Sequence, residues 1–431
     1  MGTETVADSG SGALADFYSD PAVVDDPHTY FAQLRSRCPV FREPYHDSVV
    51  VTGYDEVMEV LTARNGTWSN APSVVGPVVP LPFVPECGDI TAQLEAHRSE
   101  MPWSDHLVCF DGEWHAKNRA LVGSLLTYKR LKANEDYLYT LADQLIDGII
   151  GKGHCNVVTE YAHATTVNAI CDIMGVPEEH RAELLELIGP VPSQLSGDAV
   201  HKTGSDPLVF LKSRFDSYIR ERQETPRDDL MSELANARYR DGTAPDPDLL
   251  SRLARFLYGA GQDTTSRLIA AAVLRLGEDK ALQDRLRADP ARIPDFLEEV
   301  LRHDSPVKVA YRLAVVDAEI AGTPIPAGTI VNVSYTAANR DPARFERPDE
   351  FDIDRPGNRD HLGFSKGLHA CLGAPLGRME ARVAIERILA RTADITISPA
   401  HHGPPDDRRY RFEPTYTFRS LADLYVEFTP A

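Results

Sequence analysis

The chain has 431 residues, 42% of them hydrophobic, which is enough for one large domain or for two to three ordinary ones. Its formal net charge of −20 argues against nucleic acid or an anionic membrane surface as a partner. Its 6 cysteines include no CxxC pair. We expect the five other than Cys371 to be buried or half-buried free thiols.

The first 15 residues are predicted to form a flexible tail, followed by a single domain over residues 16–431. The N-terminal segment lacks the positively charged and apolar regions of a signal peptide. No apolar run is long enough to span a bilayer. We therefore expect a cytoplasmic protein with no membrane partner.

Helical periodicity dominates the chain and predicts helices such as 131–150 and 181–188. Strand-like segments are few, at 48–52, 318–320, 329–333 and 424–428. The pattern predicts a mainly α fold with a minor β region.

Residues 73–85 are apolar but interrupted by prolines, which excludes a long helix and a central strand. This loop either packs beneath another loop or lines a ligand pocket.

Three basic side chains are candidates for binding an anion. His115 and Arg119 lie four residues apart on a predicted helix, and Arg312 follows a mostly apolar segment. Such residues suit carboxylates or phosphates, although each alone fits a solvated surface. Residues 115–132 also contain several cations and no Asp or Glu, namely Lys117, Arg119, Lys129, Arg130 and Lys132. This basic segment is either a solvated face or a docking surface for an acidic partner.

A long helix is predicted from Asp246, an N-cap residue, to about Gly277. Its centre, Gly259–Thr265, contains two glycines and two threonines, which weaken a helix. One interpretation is a kink for packing, with a threonine hydroxyl bonded to the backbone. The other is a local widening around a small ligand, with Thr264 as hydrogen-bond donor and Asp263 as proton source.

Glu299 and Arg302 lie three residues apart on one predicted helix face. Alone, they indicate an ordinary surface pair. A buried pair would need a third partner, for which Arg355 is the candidate.

The segment Phe-Ser-Lys-Gly-Leu-His-Ala-Cys-Leu-Gly ends at Gly373 and places Cys371 directly before a predicted helix. A thiol there meets the positive end of the helix dipole and unpaired backbone N–H groups, both of which lower its pKa. Gly367 and Gly373 allow a flat partner to approach, and Phe364 offers an aromatic face. A buried thiol in a turn is the default for an isolated cysteine, but this spacing favours a ligand.

The order of these elements resembles the cytochrome P450 family, the haem-thiolate monooxygenases, and within it the soluble bacterial type. The resemblance extends from about residue 20 to the end of the chain. It includes Ala338–Pro342, and Phe345 with Pro348 and Phe351. It implies a cytochrome P450-like helical fold, a b-type haem, and use of O2 to oxidise a small organic substrate.

The resemblance also implies residue roles. Cys371 would be the thiolate ligand of the haem iron, with Phe364 and Gly373 beside it. The haem propionates would be held by His115, Arg119, Arg312 and His369. Asp263 and Thr264 would be the catalytic acid–alcohol pair that supplies protons, with Ala260 and Gly261 opening the helix beside the haem. The core behind the haem would be locked by Glu299, Arg302 and Arg355.

One residue departs from the family pattern, because Ser365 stands where the family usually has glycine. Serine resists positive φ, so we expect a reshaped turn and altered hydrogen bonding near the sulfur.

The sequence contains no nucleotide-binding fingerprint or flavin domain beside the haem region. We therefore expect electrons from a separate ferredoxin and its NAD(P)H-dependent reductase, with docking at the basic segment, Lys366 and Arg378. A mostly apolar substrate pocket would lie beneath loop 73–85 and include Phe256, Gly259, Ala260, Val309, Ala310 and Tyr416. Lys308 could bind a substrate carboxylate, although contact with solvent or a propionate is favoured.

Two alternatives stay open. A peroxide-driven peroxygenase is disfavoured by Asp263 and Thr264, since peroxide already carries the protons that this pair supplies. A non-catalytic haem-binding or sensor protein would bind ligands without turnover.

Overall fold

A computed structural model of the chain describes residues 14–86, 88–187 and 208–431. The predicted N-terminal tail lies outside these ranges except for its last two residues. In the described part of the chain, no helix is long and apolar enough to cross a membrane.

Helices dominate the described ranges, as the periodicity predicts. In chain order they are α1 Pro21–Asp25, α2 Pro27–Arg37, α3 Tyr54–Thr62, α4 Thr91–His97, α5 Gly112–Gly123, α6 Tyr128–Ile150, α7 His163–Met174, α8 Glu178–Leu187, α9 Lys212–Glu224, α10 Leu230–Ala235, α11 Pro247–Glu278, α12 Lys280–Ala288, α13 Ile293–His303, α14 Tyr335–Ala338, α15 Ala374–Arg391 and α16 Pro399–His402. A single π-helical segment, Val157–Ala162, precedes α7. The mainly α class is confirmed.

The strands are short, and several of them pair segments that are distant in sequence. They are β1 Val40–Arg42, β2 Val49–Val51, β3 Trp68–Ser69, β4 His154–Asn156, β5 Val309–Ala314, β6 Ala318–Ile320, β7 Thr323–Ile325, β8 Ile330–Ser334, β9 Thr392–Ile397 and β10 Tyr425–Pro430. They form a five-stranded sheet in the order β1-β2-β8-β5-β3, a three-stranded sheet β4-β10-β9 and a hairpin β6-β7. All four strand-like segments are confirmed as strands.

Helix α11 lies at the centre of the helical region. The side chain of Asp246 accepts a hydrogen bond from the backbone N–H of Asp248, which confirms the predicted N-cap. The helix runs unbroken for 32 residues, and the Thr264 hydroxyl bonds to the Ala260 carbonyl, as the packing interpretation predicts. The glycine at 261 also has a packing reason: a Cβ there would lie 2.9 Å from Ile170 Cδ1 on α7. Glycine therefore lets the two helices approach closely.

Loop 73–85 packs against the five-stranded sheet. Gly76 has φ +59°, and a Cβ there would lie 2.8 Å from the ring of Tyr311 on β5. The Tyr416 hydroxyl donates a hydrogen bond of 3.3 Å to the carbonyl of Val75. The loop contains only a short 3₁₀ turn, Gly76–Val78, as its prolines predict.

The cysteines other than Cys371 follow the prediction wherever they are described. Cys109, Cys155 and Cys171 are buried free thiols and Cys38 is half-buried, whereas Cys87 lies outside the described residues.

Candidate active site

The segment from Phe364 to Gly373, here called the Cys loop, is closed by two backbone hydrogen bonds. The Ser365 N–H donates to the Leu362 carbonyl at 2.8 Å, and the Cys371 N–H donates to the Phe364 carbonyl at 2.8 Å. Ser365 has φ +57°, in the left-handed region. Serine here adopts the backbone conformation that glycine favours.

Gly367 fixes the Cys loop against the end of α3. Its φ is +72°, and a Cβ there would lie only 2.0 Å from the carbonyl oxygen of Leu61. No side chain fits at this position, so the glycine is required by both conformation and space.

The thiol of Cys371 is exposed, whereas the other described cysteines are buried or half-buried. Helix α15 begins at Ala374, so the thiol lies at its N-terminus as predicted. Desolvation by the surrounding protein raises the pKa of the thiol. The opposing effects are smaller: the backbone N–H groups of Gly373 and Ala374, and the charges of Arg119 and Arg378, lower the pKa. The helix-end effect exists, but the predicted net lowering of the pKa is wrong because desolvation is larger. An added positive charge at the sulfur would reverse this balance.

Four predicted propionate-binding residues gather around the Cys loop. The rings of His115 and His369 stack with centroids 3.8 Å apart. Arg119 donates a hydrogen bond of 2.5 Å to the Ala370 carbonyl, and Arg312 donates one of 2.7 Å to the Tyr311 carbonyl. Within the described ranges, neither arginine forms an ion pair with a carboxylate. The cluster therefore suits an anionic partner.

The two imidazoles of this cluster are neutral near pH 7. Burial lowers the pKa of His115 to about 4, with a contribution from the charge of Arg119. Burial lowers the pKa of His369 to about 2, with contributions from Arg312 and His115. They can donate hydrogen bonds as neutral rings, whereas the arginines supply the positive charge.

A second network supports the Cys loop and was not predicted. Glu298 accepts hydrogen bonds from Arg378 on α15 (2.6 Å) and from His361 (2.9 Å). Burial opposes ionisation of Glu298, but these two partners lower its pKa to about 2. The Arg378 guanidinium also lies 4.4 Å from the centre of the Phe364 ring. The charge of Arg378 is therefore already paired with Glu298, although its side chain stays partly exposed.

The predicted third partner of Glu299 is confirmed. Glu299 and Arg302 form paired hydrogen bonds of 2.8 Å, and Arg355 Nε donates to Glu299 at 3.1 Å. All three residues are buried, at 0%, 1% and 7% exposure. Arg302 and Arg355 also donate to the carbonyl of Glu350. This ion cluster joins α13 to the segment that leads into the Cys loop.

Asp263 and Thr264 directly precede Thr265, the residue at which α11 meets α15. A Cβ at Gly377 on α15 would lie 3.1 Å from Thr265 Oγ1, so the two helices are in close contact there. The Thr264 hydroxyl donates to the Ala260 carbonyl at 3.2 Å. Ala260 is exposed and Thr264 is half-buried on the same face of the helix. This face is accessible to a small ligand.

The carboxylate of Asp263 is held by Arg267, one helical turn later. Both carboxylate oxygens accept hydrogen bonds of 2.7 Å from Arg267. Arg267 also lies 3.5 Å from Glu413. A small polar cavity of about 30 Å³ is lined by these residues and by His163, whose Nε2 has no hydrogen-bond partner. This volume is large enough for about one water molecule beside the acid.

Glu380 is a buried acid that sequence reasoning missed. It is 1% exposed, lies on α15, and has Thr265 of α11 as a neighbour. Burial raises the pKa of Glu380 well above the ordinary value, so burial favours the protonated carboxyl group. The sequence could have revealed it, because Glu380 lies among the apolar positions of the helix that follows Cys371, where an acid is unusual.

The predicted pocket residues divide into two groups. Phe256, Gly259 and Ala310 are half-buried and Ala260 is exposed, as pocket positions require. Val309 and Tyr416 are buried at 1% and 3% exposure and pack in the core. Lys308 is 2% exposed, and its Nζ donates to the Thr415 carbonyl at 2.6 Å, so the favoured solvent contact is wrong.

The basic segment 115–132 is largely paired with acids from elsewhere. Lys117 lies 3.9 Å from Asp241, Arg130 pairs with Glu233, and Lys132 pairs with Glu135. Arg119 points toward the Cys loop, which leaves Lys129 as an exposed cation. The segment is therefore much less positive than its sequence predicts.

Comparisons with known proteins identify the family. The family model "Cytochrome P450" matches residues 154–393. The "Biotin biosynthesis cytochrome P450" of Bacillus subtilis is 30% identical over 94% of this chain and 96% of its own length. The "6-deoxyerythronolide B hydroxylase" of Saccharopolyspora erythraea is 29% identical over 88% of this chain and 91% of its own length.

Solved structures agree with these matches. The substrate-free cytochrome P450 CYP150A6 of Mycobacterium marinum has a TM-score of 0.90 and 44% identity, over 97% of this chain and 99% of that one. A structure of P450BioI in complex with hexadec-9Z-enoic acid ligated acyl carrier protein has a TM-score of 0.77 and 27% identity, over 94% of this chain and 99% of that chain.

The chain belongs to the cytochrome P450 family, whose members are haem-containing monooxygenases. The donor set of this site fits haem: an accessible thiol lies at a helix N-terminus, beside two arginines without carboxylate partners. Iron accepts a thiolate, and the two propionates of haem match the arginines. The predicted class of enzyme and its cofactor are therefore confirmed, while the roles of single residues stay predictions.

Proposed function

We propose that the protein inserts one oxygen atom from O2 into a mostly apolar small organic substrate, with electrons from a separate ferredoxin and its reductase. The accessible thiol of Cys371 within the closed Cys loop carries this proposal, because haem-thiolate chemistry requires such a ligand. Haem supplies O2 activation when bound.

The residues around the site would divide the remaining tasks. Arg119 and Arg312 would bind the propionates by charge, and the neutral rings of His115 and His369 would add hydrogen bonds. Thr264 would orient a water or the reacting group by its hydroxyl. Asp263 would pass protons to Thr264 from the small polar cavity, after loosening its contacts with Arg267.

A carbon monoxide difference spectrum of the reduced protein tests the ligand. The wild type is expected to show the thiolate-type band, and Cys371→Ser is expected to lose it. Cys171→Ser, which changes a buried thiol on α7, is the matched control and should keep the band. A thiolate-type spectrum that survives Cys371→Ser would contradict the proposal.

The variant Thr264→Ala separates a monooxygenase from a peroxygenase. With ferredoxin, reductase and NAD(P)H, we expect electron consumption to continue while product falls and free peroxide appears, because proton delivery is impaired. Thr140→Ala on α6 is the control, since its hydroxyl is likewise bonded to the backbone carbonyl four residues earlier. If only peroxide supports turnover, and Thr264→Ala leaves it unchanged, the protein is a peroxygenase. Ligand binding without any turnover would indicate a haem-based sensor.

The ferredoxin would dock beside the Cys loop through an apolar centre with a basic rim. Leu368 is 50% exposed and Trp114 is 48% exposed. They precede His369 and His115 in sequence, and the rings of these two histidines stack. Lys129 would contribute to the rim. Because most cations of the basic segment are already paired, apolar contact is expected to matter more than charge.

A single substitution tests this docking surface. We expect Leu368→Asp to reduce the rate of haem reduction by ferredoxin severalfold and to leave reduction by dithionite unchanged. Val84→Asp is the matched control, because Val84 is 81% exposed and lies on a different loop. Equal rates for wild type and Leu368→Asp at subsaturating ferredoxin would exclude this surface.

The substrate is proposed to be mostly apolar, since Phe256, Gly259, Ala260 and Ala310 offer no charged group at the accessible face of α11 and the start of β5. Of the relatives named above, one is named for biotin biosynthesis and the other as a hydroxylase of 6-deoxyerythronolide B. A spectral binding screen of acyl chains and macrocycles would test the class, with a polar sugar library as the negative set.

A further inference from the structure

Ser365 is held in a backbone conformation that costs free energy for any residue except glycine. Its φ of +57° lies in the left-handed region, where Cβ crowds the backbone. Such a residue persists only when its surroundings hold it there. The contacts of Ser365 therefore indicate what stabilises the Cys loop.

The peptide group between Phe364 and Ser365 is bonded at both ends. Its carbonyl oxygen accepts from the N–H of Cys371 at 2.8 Å, and its N–H donates to the carbonyl of Leu362 at 2.8 Å. The φ angle of Ser365 sets the orientation of this peptide plane. A change in that angle moves the carbonyl group that holds the backbone of Cys371.

The Ser365 side chain is held by one partner outside the loop. The hydroxyl of Tyr335 donates a hydrogen bond of 2.9 Å to Ser365 Oγ. Tyr335 is 4% exposed and begins α14, directly after β8. Burial raises the pKa of Tyr335, so its hydroxyl keeps the proton that it donates. The donor is therefore rigid, and it arises from a different part of the fold.

We propose that Tyr335 is a positioning residue for the thiolate ligand: its bond to Ser365 Oγ holds the strained peptide that fixes Cys371. This inference rests on the proposed role of Cys371 as the haem ligand. A glycine in place of Ser365 would need no such bond, because glycine adopts positive φ without strain. Ser365 and Tyr335 therefore act as a matched pair.

A double-mutant cycle on the haem-loaded enzyme tests the pairing. The variants are Tyr335→Phe, Ser365→Gly and the double variant, with Ser365→Ala as a second way to remove the acceptor. The measurement is the equilibrium between thiolate-type and non-thiolate forms of the reduced carbon monoxide complex across a urea series. Tyr218→Phe is the control, since it removes another buried tyrosine hydroxyl, bonded to His180 at 2.7 Å.

We expect Tyr335→Phe and Ser365→Ala each to shift this equilibrium toward the non-thiolate form by roughly fivefold, the effect of one lost hydrogen bond. Tyr335→Phe should have no effect in the Ser365→Gly background. Equal effects in both backgrounds, or no effect in either, would overturn the proposal. A wild type without any thiolate-type band would instead contradict the ligand role of Cys371.

Discussion

Replacement of Lys308 with methionine measures the cost of a buried ammonium group. The Nζ of Lys308 contacts the Thr415 carbonyl and lies 5.7 Å from the centre of the Phe17 ring. Burial, together with the charges of Arg419 and Arg267, lowers its pKa from 10.5 to about 7. In the described part of the chain, no carboxylate forms an ion pair with it.

The expected magnitude follows from linkage. The folded-state pKa is the lower one, so unfolding takes up a proton between about pH 7 and 10.5, and the contribution of Lys308 to the free energy of unfolding rises with pH there. A pKa difference of one unit corresponds to about 1.4 kcal/mol. At about pH 7, Lys308 is protonated in half of the folded molecules. Between about pH 7 and pH 9 the rise is therefore roughly 2 kcal/mol.

Urea unfolding followed by circular dichroism and haem absorbance, at several pH values in this range, provides the assay. Lys308→Met has a similar volume and no charge, so its stability should lack this rise. The free energy of unfolding of the variant should exceed that of the wild type most at about pH 7, and this excess should shrink by roughly 2 kcal/mol by about pH 9. Lys129→Met, at an exposed site, is the control. A difference that does not change with pH would refute the reasoning.

Three further substitutions test other parts of the structure. Glu299→Gln should lower the free energy of unfolding by about 3–5 kcal/mol in urea, because two buried arginines lose their partner; no loss would contradict a buried cluster. The free energy of unfolding of the wild type should fall as the pH rises above 4.5, because the unfolded state loses the Glu380 proton there while the folded state retains it. Glu380→Gln should lack this fall, and parallel pH profiles of the unfolding free energy for variant and wild type would contradict the buried acid. Gly367→Ala should abolish haem incorporation at normal expression levels, whereas Gly148→Ala, with open space around it, should not.

The local features of the site could be predicted because they depend on neighbours in sequence. The cap at Asp246, the glycine at 367 and the thiol before α15 each follow from backbone geometry. The partner of Glu299 could be predicted because a buried pair needs a third charge, and Arg355 was available.

The errors come from contacts between distant segments or from partners that were overlooked. The pairing of Arg130 with Glu233 joins segments 103 residues apart, which no spacing reveals. The net pKa of Cys371 depends on burial, which is a property of the whole fold. Arg267, in contrast, lies four residues after Asp263, so the i,i+4 rule could have identified their ion pair.

The close contact of the Cys loop with α3 has a consequence for how the chain folds. The Gly367 backbone touches Leu61, and nearby the Tyr54 hydroxyl bonds to the Asp360 carbonyl, 306 residues later in the chain. Contacts of such long range form slowly and late, because the intervening chain must be ordered first. During synthesis, α3 therefore cannot make its contacts with Asp360 and Gly367 until most of the polypeptide has been made. Haem incorporation would therefore require that this long-range contact has formed.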